Sequence, residues 1–200
     1  MLEATALQCR RGGRTLFQKL DLSVKQKDLI RVNGANGSGK TSLLRILCGL
    51  LTPEAGEVRW KGASILELRE EYSRELVYLG HAPAVKDDLT AVENLRYSCA
   101  IAGVVFSGIE SAIEKFGVPL HTPVKKLSQG QKRRAALARL ALSASVPLCL
   151  LDEPFSALDA AATALVEELM RAHAAGGGAV VFTTHQDTKV AASRLIELHG

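Results

Sequence analysis

Aromatic side chains are scarce in this sequence: 200 residues hold one tryptophan, three tyrosines and five phenylalanines. Proteins that grip single-stranded nucleic acid stack bases on such rings, so their scarcity argues against a nucleic-acid partner. Long apolar runs are missing too. A membrane-spanning helix needs roughly 18 or more consecutive apolar residues. The longest stretches, Cys99–Phe106 and Ala174–Phe182, fall well short even with glycine counted. The first residues include an acid, Glu3, and the basic pair Arg10–Arg11 comes too late for a secretory leader, so the chain is expected to stay on the cytosolic side. Four cysteines, Cys9, Cys48, Cys99 and Cys149, lie too far apart for C-x-x-C or zinc spacing. Most of them read as small buried hydrophobes.

What is present describes one globular domain over residues 1–200, 47% apolar and 23% charged, with a net charge of +4. That charge is a mild lean toward anionic partners. The basic groups Arg10–Arg11 with Arg14, Lys125–Lys126 and Lys132–Arg133–Arg134 read as solvated surface. The apolar run Val146–Leu151 suits a strand buried on both faces of a parallel sheet; Leu29–Val32 reads as a strand feeding a glycine-rich loop, Ala179–Thr184 as another apolar strand, and Leu195–Leu198 suits a last one. Helices are expected at Thr41–Leu50, with Leu50 on the apolar side, and at Ala160–Ala175, stopped by Gly176-Gly177-Gly178. Strand and helix alternate, so the fold class is α/β with a mainly parallel sheet. Leu89–Leu142 lacks strand runs and reads as a helical subdomain.

The segment from Gly34 to Thr41 matches the phosphate-loop pattern G-x-x-x-x-G-K-[ST] between a strand and a helix. Its candidate nucleotide-binding residues are Gly34, Ala35, Asn36, Gly37, Ser38, Gly39, Lys40, Thr41 and the adjoining Ser42. Glycines let backbone N–H groups turn toward phosphates, and the following helix presents its positive dipole end. Lys40 reaches the β and γ phosphates, and the Thr41 hydroxyl is a candidate ligand of Mg²⁺. A carboxylate pair completes such a site. Asp152 ends an apolar strand and would hold Mg²⁺ mostly through water, while Glu153 would take a proton from the attacking water. Ser128 and Gln131 form S-x-x-Q, a capping box that opens an Ala- and Arg-rich helix running to about Ser143 and makes its N-terminus an anion site.

These motifs resemble those of the ABC-type ATPase family. Leu127-Ser128-Gln129-Gly130-Gln131 is similar to its LSGGQ signature with Gln129 in place of a glycine. Ser156–Asp159 resembles its D-loop, Thr183-Thr184-His185 its switch histidine, and Leu89–Leu95 the opening of its helical subdomain. The resemblance spans nearly the whole chain. It implies an α/β P-loop NTPase with a RecA-like core, an N-terminal antiparallel β part and an inserted helical subdomain. The core would take residues 1–85 and 146–200, and the helical part about 86–145. It implies ATP and Mg²⁺ as cofactors, with Lys40, Glu153 and His185 catalytic. It also implies a head-to-tail dimer with a second copy, in which Ser128, Gly130 and Gln131 face the nucleotide of the other subunit.

Two further positions depart from the family pattern. His81 stands in Val77–Pro83 where many members carry glutamine, and would touch Mg²⁺ or its water. The early adenine-stacking aromatic is missing. Arg11 is the candidate replacement, which leaves ATP and GTP both open. Within the family, Tyr78–Pro83, Leu89–Leu95 and Gln131–Leu140 resemble the ATP-binding subunits of cytochrome c maturation complexes. That implies integral membrane permease subunits as partners, and a peripheral place on the cytoplasmic face of the bacterial inner membrane. It implies ATP hydrolysis that drives haem export or release of a haem-loaded chaperone. His121, His173 and His199 have no motif context and are not assigned to haem. Other readings are a different small-substrate exporter, a soluble ABC ATPase, and a nucleotide-sensing scaffold. Residues 42–126 between loop and signature leave no room for a long coiled-coil insertion, and the presence of Glu153 and His185 argues against a scaffold without hydrolysis. Because imidazole titrates and a glutamine amide does not, His81→Gln is expected to flatten the acid limb of the pH–rate profile. An unchanged acid limb removes His81 from the reaction.

Overall fold

The structure, a computed structural model, describes residues 1–103 and 107–199. The end of the apolar stretch Cys99–Phe106 lies outside the described residues. A long hairpin comes first, β1 (Leu2–Arg11) and β2 (Arg14–Val24), turning at Gly12-Gly13. After β3 (Leu29–Gly34) and α1 (Lys40–Leu47), the chain returns through β4 (Ala55–Trp60) and β5 (Ala63–Ser64). These complete a four-stranded antiparallel sheet in the order β2-β1-β4-β5. Two short helices, α2 (Ile65–Leu68) and α3 (Glu70–Arg74), lead to β6 (Leu76–Leu79). A helical stretch follows: α4 (Ala91–Ile101), α5 (Ile109–Lys115), a 3₁₀ turn at Val124–Lys126, and α6 (Gln129–Ala141). Then come β7 (Leu148–Asp152), α7 (Ala160–Ala175), β8 (Ala179–Thr183) and β9 (Arg194–Leu198). The second sheet is parallel at every pairing, in the order β6-β7-β8-β3-β9.

The unbroken apolar strands have a direct cause, because each face of the parallel sheet meets its own core. On β7, Leu148 and Leu150 join a cluster with α1 and the antiparallel sheet, while Cys149 and Leu151 join one with α4–α7. On β8, Ala179 and Val181 take the first side, and Val180 and Phe182 the second. Side chains alternate across a strand, so a strand covered on both faces must be apolar at every position. Three of the cysteines, Cys9, Cys99 and Cys149, are buried and Cys48 is half-buried, all as free thiols. Of the three unassigned histidines, His173 is buried with its Nδ1 3.9 Å from Cys149 Sγ, while His121 and His199 are exposed. Among the described residues no helix is long and apolar enough to cross a membrane.

Two helix ends differ from the sequence reading. Helix α1 stops at Leu47, because the Leu50 N–H closes back onto the Arg45 carbonyl at 2.8 Å. Leu50, expected on the apolar side, is therefore 68% exposed. Helix α6 stops at Ala141, short of Ser143, whose hydroxyl donates to the Leu140 carbonyl at 2.7 Å. The antiparallel sheet depends on Gly56, where β4 passes a bulge in β1 at φ +86°. A Cβ there would lie 2.4 Å from the Thr5 carbonyl oxygen and 2.6 Å from that of Ala6. Gly56→Ala is expected to destabilise the fold by at least about 1–3 kcal/mol, measured by urea unfolding.

Candidate functional site

The loop between β3 and α1 is shaped by its own backbone. The Ser38 N–H donates to the Ala35 carbonyl at 3.1 Å, and Gly39 enters α1 in the left-handed region at φ +103°. Glycine is required at position 39 on two counts, conformation and space: a Cβ would press within about 3.1 Å of the Phe17 ring and Leu16. Phe17 is core, as its buried position shows. Lys40, a residue 8% exposed, curls over the loop and its ammonium donates to the carbonyls of Gly34 at 2.8 Å and Ala35 at 3.0 Å. Burial lowers its pKa, opposed by the attraction of Glu153 and then Asp152.

Asp152 is 1% exposed and clasped on both oxygens. The Thr41 hydroxyl donates to its Oδ2 at 2.8 Å, and the Thr183 hydroxyl donates to its Oδ1 at 2.9 Å. Thr183 Oγ1 in turn accepts the Glu153 N–H at 2.9 Å. One hydroxyl on β8 thus fixes both acidic residues at the end of β7. Glu153 holds a left-handed φ of +49°, an uncommon state for a residue with a Cβ. Its Oε2 accepts the His185 N–H at 3.2 Å. Its Oε1 is buried without a hydrogen bond, and the His185 imidazole Nε2 lies 3.3 Å away but out of line. A carboxylate oxygen left so keeps its acceptor capacity unused.

These groups share one cleft of about 520 Å³, lined by Asn36, Gly37, Gly39, Lys40, Thr41 and Ser42 together with Asp152, Glu153, His185 and His81. Arg11, at the tip of the β1–β2 hairpin, and Leu16 complete the lining. Gly34, Ala35 and Ser38 belong to the same loop but do not line the cleft: Ala35 is exposed elsewhere on the surface, Gly34 is half-buried, and Ser38 is 2% exposed. Ser128, Gly130 and Gln131 do not line the cleft. They open α6 in a reciprocal capping box: the Gln131 N–H donates to Ser128 Oγ at 3.2 Å, and the Ser128 N–H donates to Gln131 Oε1 at 2.9 Å. Ser128 is exposed, and Gly130 sits against the Ala157 carbonyl in the loop before α7.

The sequence reading of the basic triplet needs correction at one residue. Arg133 is only 5% exposed and donates to four backbone carbonyls, those of Gly80 (2.8 Å), His81 (2.9 Å), Asp152 (3.0 Å) and Glu153 (2.7 Å). A signal was available: Arg133, Leu137 and Leu140 recur at helical spacing, and all three are buried on one face of α6. Thr183 was also missed as a holder of the site. Its signal was a lone hydroxyl ending an otherwise apolar strand.

Residues 17–156 match the family model described as ABC transporter. A cytochrome c biogenesis ATP-binding export protein CcmA from Aromatoleum aromaticum is 51% identical, over 96% of this chain and 91% of its own. The protein of the same name from Nitrosomonas europaea is 48% identical, over 94% of this chain and 89% of its own. Among solved structures, a dimeric bacterial ABC transporter cassette superposes with a TM-score of 0.85 at 25% identity, covering 99% of this chain and 94% of that one.

Thr183→Val keeps the shape of the side chain and removes the hydroxyl that serves Asp152 and Glu153. Leaving those buried groups unmatched is expected to cost about 1–3 kcal/mol in urea unfolding, and Thr183→Ser is expected to recover most of it.

Proposed function

Because the chain belongs to the ABC transporter family, within the CcmA group of ATP-binding export proteins, we propose that it is the ATP-hydrolysing subunit of a cytochrome c biogenesis exporter. The observation that carries this reading is the meeting of phosphate-loop and proton-acceptor groups in one cleft, with Lys40, Thr41, Asp152, Glu153 and His185 on its walls. Backbone N–H groups of residues 35–41 and the Lys40 ammonium hold the ATP phosphates. The ammonium must leave the Gly34 and Ala35 carbonyls to do so, exchanging two neutral acceptors for an anion. Glu153 Oε1 takes the proton of the attacking water, and His185 steadies the carboxylate through its backbone N–H. Arg11 offers a planar cation to the purine in place of an aromatic ring.

Thr41 Oγ1 and Asp152 Oδ2 bring two hard oxygen donors together at 2.8 Å, the chemistry that suits Mg²⁺ with water and phosphate oxygens as its remaining ligands. When bound, Mg²⁺ would neutralise charge on the phosphates. His81, which lines the same cleft, would meet the ion or its water.

The exposed capping box at Ser128, away from this chain's own cleft, supports a head-to-tail pair in which it closes on the nucleotide of a second copy. In that arrangement residues 1–85 and 146–200 form the nucleotide-binding core and about 86–145 the helical signature part. Membrane subunits are the other partners. A groove of about 420 Å³ between the two parts supports this, lined by Leu50, Tyr78, Lys86, Tyr97, Ile101 and Arg139. Leu50, Tyr97 and Ile101 are exposed there, an apolar seat for a short helix at the membrane face. The work done would be haem export or release of a haem-loaded chaperone, at the cytoplasmic face of the inner membrane.

Glu153→Gln removes the proton acceptor and keeps the shape of the site. ATP turnover is expected to fall by about 10²–10⁴-fold while ATP still binds and the dimer accumulates on sizing columns. Full turnover in that variant would overturn the reading. Lys40→Ala is expected instead to weaken ATP binding itself, measured by equilibrium titration.

A further inference from the structure

Arg133 is held in an unusual way. It lies in the second turn of α6, buried, and among the described residues no carboxylate comes within ion-pair distance of it. A buried cation without a counter-ion is costly unless its hydrogen bonds are met. Here Nη1 serves the carbonyls of Gly80 and His81, and Nη2 serves those of Asp152 and Glu153, so four of the five N–H groups are used and, among the described residues, Nε alone lacks a partner. The four acceptors belong to two separate segments, the loop after β6 and the end of β7. The planar fork of arginine matches two pairs of acceptors at once, which a lysine ammonium cannot do.

The acceptors are also the backbone of groups that matter. His81 is the histidine on the cleft wall, and Asp152 and Glu153 are the acidic pair. Glu153 keeps its left-handed φ only because its surroundings impose it. Its N–H is fixed by Thr183 and its carbonyl by Arg133, so both ends of the residue are pinned from different elements. Five residues earlier on the same helix, Ser128 presents the exposed capping box. A helix rises about 1.5 Å per residue and is stiff over such a length. A shift at its N-terminus therefore travels directly to the guanidinium.

We propose that Arg133 is a positioning residue that ties the signature helix to the Glu153 backbone and to the His81 loop. The consequence rests on the ATPase reading given above. When a second copy's nucleotide seats on Ser128, Arg133 sets the carboxylate of this chain's own Glu153 for hydrolysis, and the two sites of the pair then fire together.

The test uses the full chain with Arg133→Met, Arg133→Gln and Arg133→Lys, and measures ATP affinity by equilibrium titration alongside kcat and KM for ATP turnover. Retained ATP affinity doubles as the check that each variant folds. In the Met and Gln variants kcat is expected to fall on the order of 10–100-fold. ATP affinity and KM should stay near the parent values, and the dependence of rate on ATP concentration should lose steepness. Lysine keeps a donor and a charge and is expected to recover part of kcat. Parent-like kcat in the Met and Gln variants overturns the proposal. So does ATP affinity falling together with kcat in all three variants, which assigns Arg133 to the scaffold alone. Glu153→Gln in the parent background separates the two levels: undiminished turnover there strikes the ATPase reading itself, whatever Arg133 does.

Discussion

Two threonine hydroxyls close on one buried carboxylate, and the rest of the site is built outward from that clasp. Thr41 reaches Asp152 from the first turn of α1, and Thr183 reaches it from the end of β8. A carboxylate only 1% exposed needs such donors to replace the water it has lost. Satisfying it brings three elements to a common point: the helix after the phosphate loop, the strand that carries the acidic pair, and the strand that leads to His185. The cleft exists because these three ends are held together.

The parts legible in the sequence are those whose chemistry is contiguous. The phosphate loop, the Asp152–Glu153 pair, the capping box at Ser128 and the Ala160–Ala175 helix each lie in a few consecutive residues. Each has one strong physical reading. Alternating strand and helix likewise announced the parallel sheet, and strands apolar at every position announced that both faces are covered. What escaped is whatever depends on partners distant in the chain. Arg133 finds its acceptors about 20 and 50 residues away, so its neighbours Lys132 and Arg134 made it look like one more surface cation. Leu50 escaped for a different reason. Apolar periodicity favoured continuing α1 to Leu50, yet backbone hydrogen bonds to the Arg45 carbonyl end the helix three residues earlier, at Leu47.

The antiparallel sheet contributes more than cover. Its hairpin brings Arg11 to the cleft and Phe17 under Gly39, so the phosphate loop rests on a ring that belongs to a different sheet. The loop is therefore preorganised from below by packing as well as from within by its glycines. Phosphate would meet a loop already shaped, with the Lys40 ammonium still to swing from the Gly34 and Ala35 carbonyls.

The parallel register carries a further consequence. Leu151 stands opposite Phe182 and Asp152 opposite Thr183, and alternate residues on both strands feed separate cores. Strand pairing can shift only in whole residues, about 3.3 Å at a time, and each step exchanges one core for the other. The two hydrophobic clusters thus act as a vernier: a slip too small to unfold the protein has no allowed setting. The distance between the acidic pair and the phosphate loop is consequently quantised. Wholly apolar residues, remote from any phosphate, fix the scale on which the chemistry is measured.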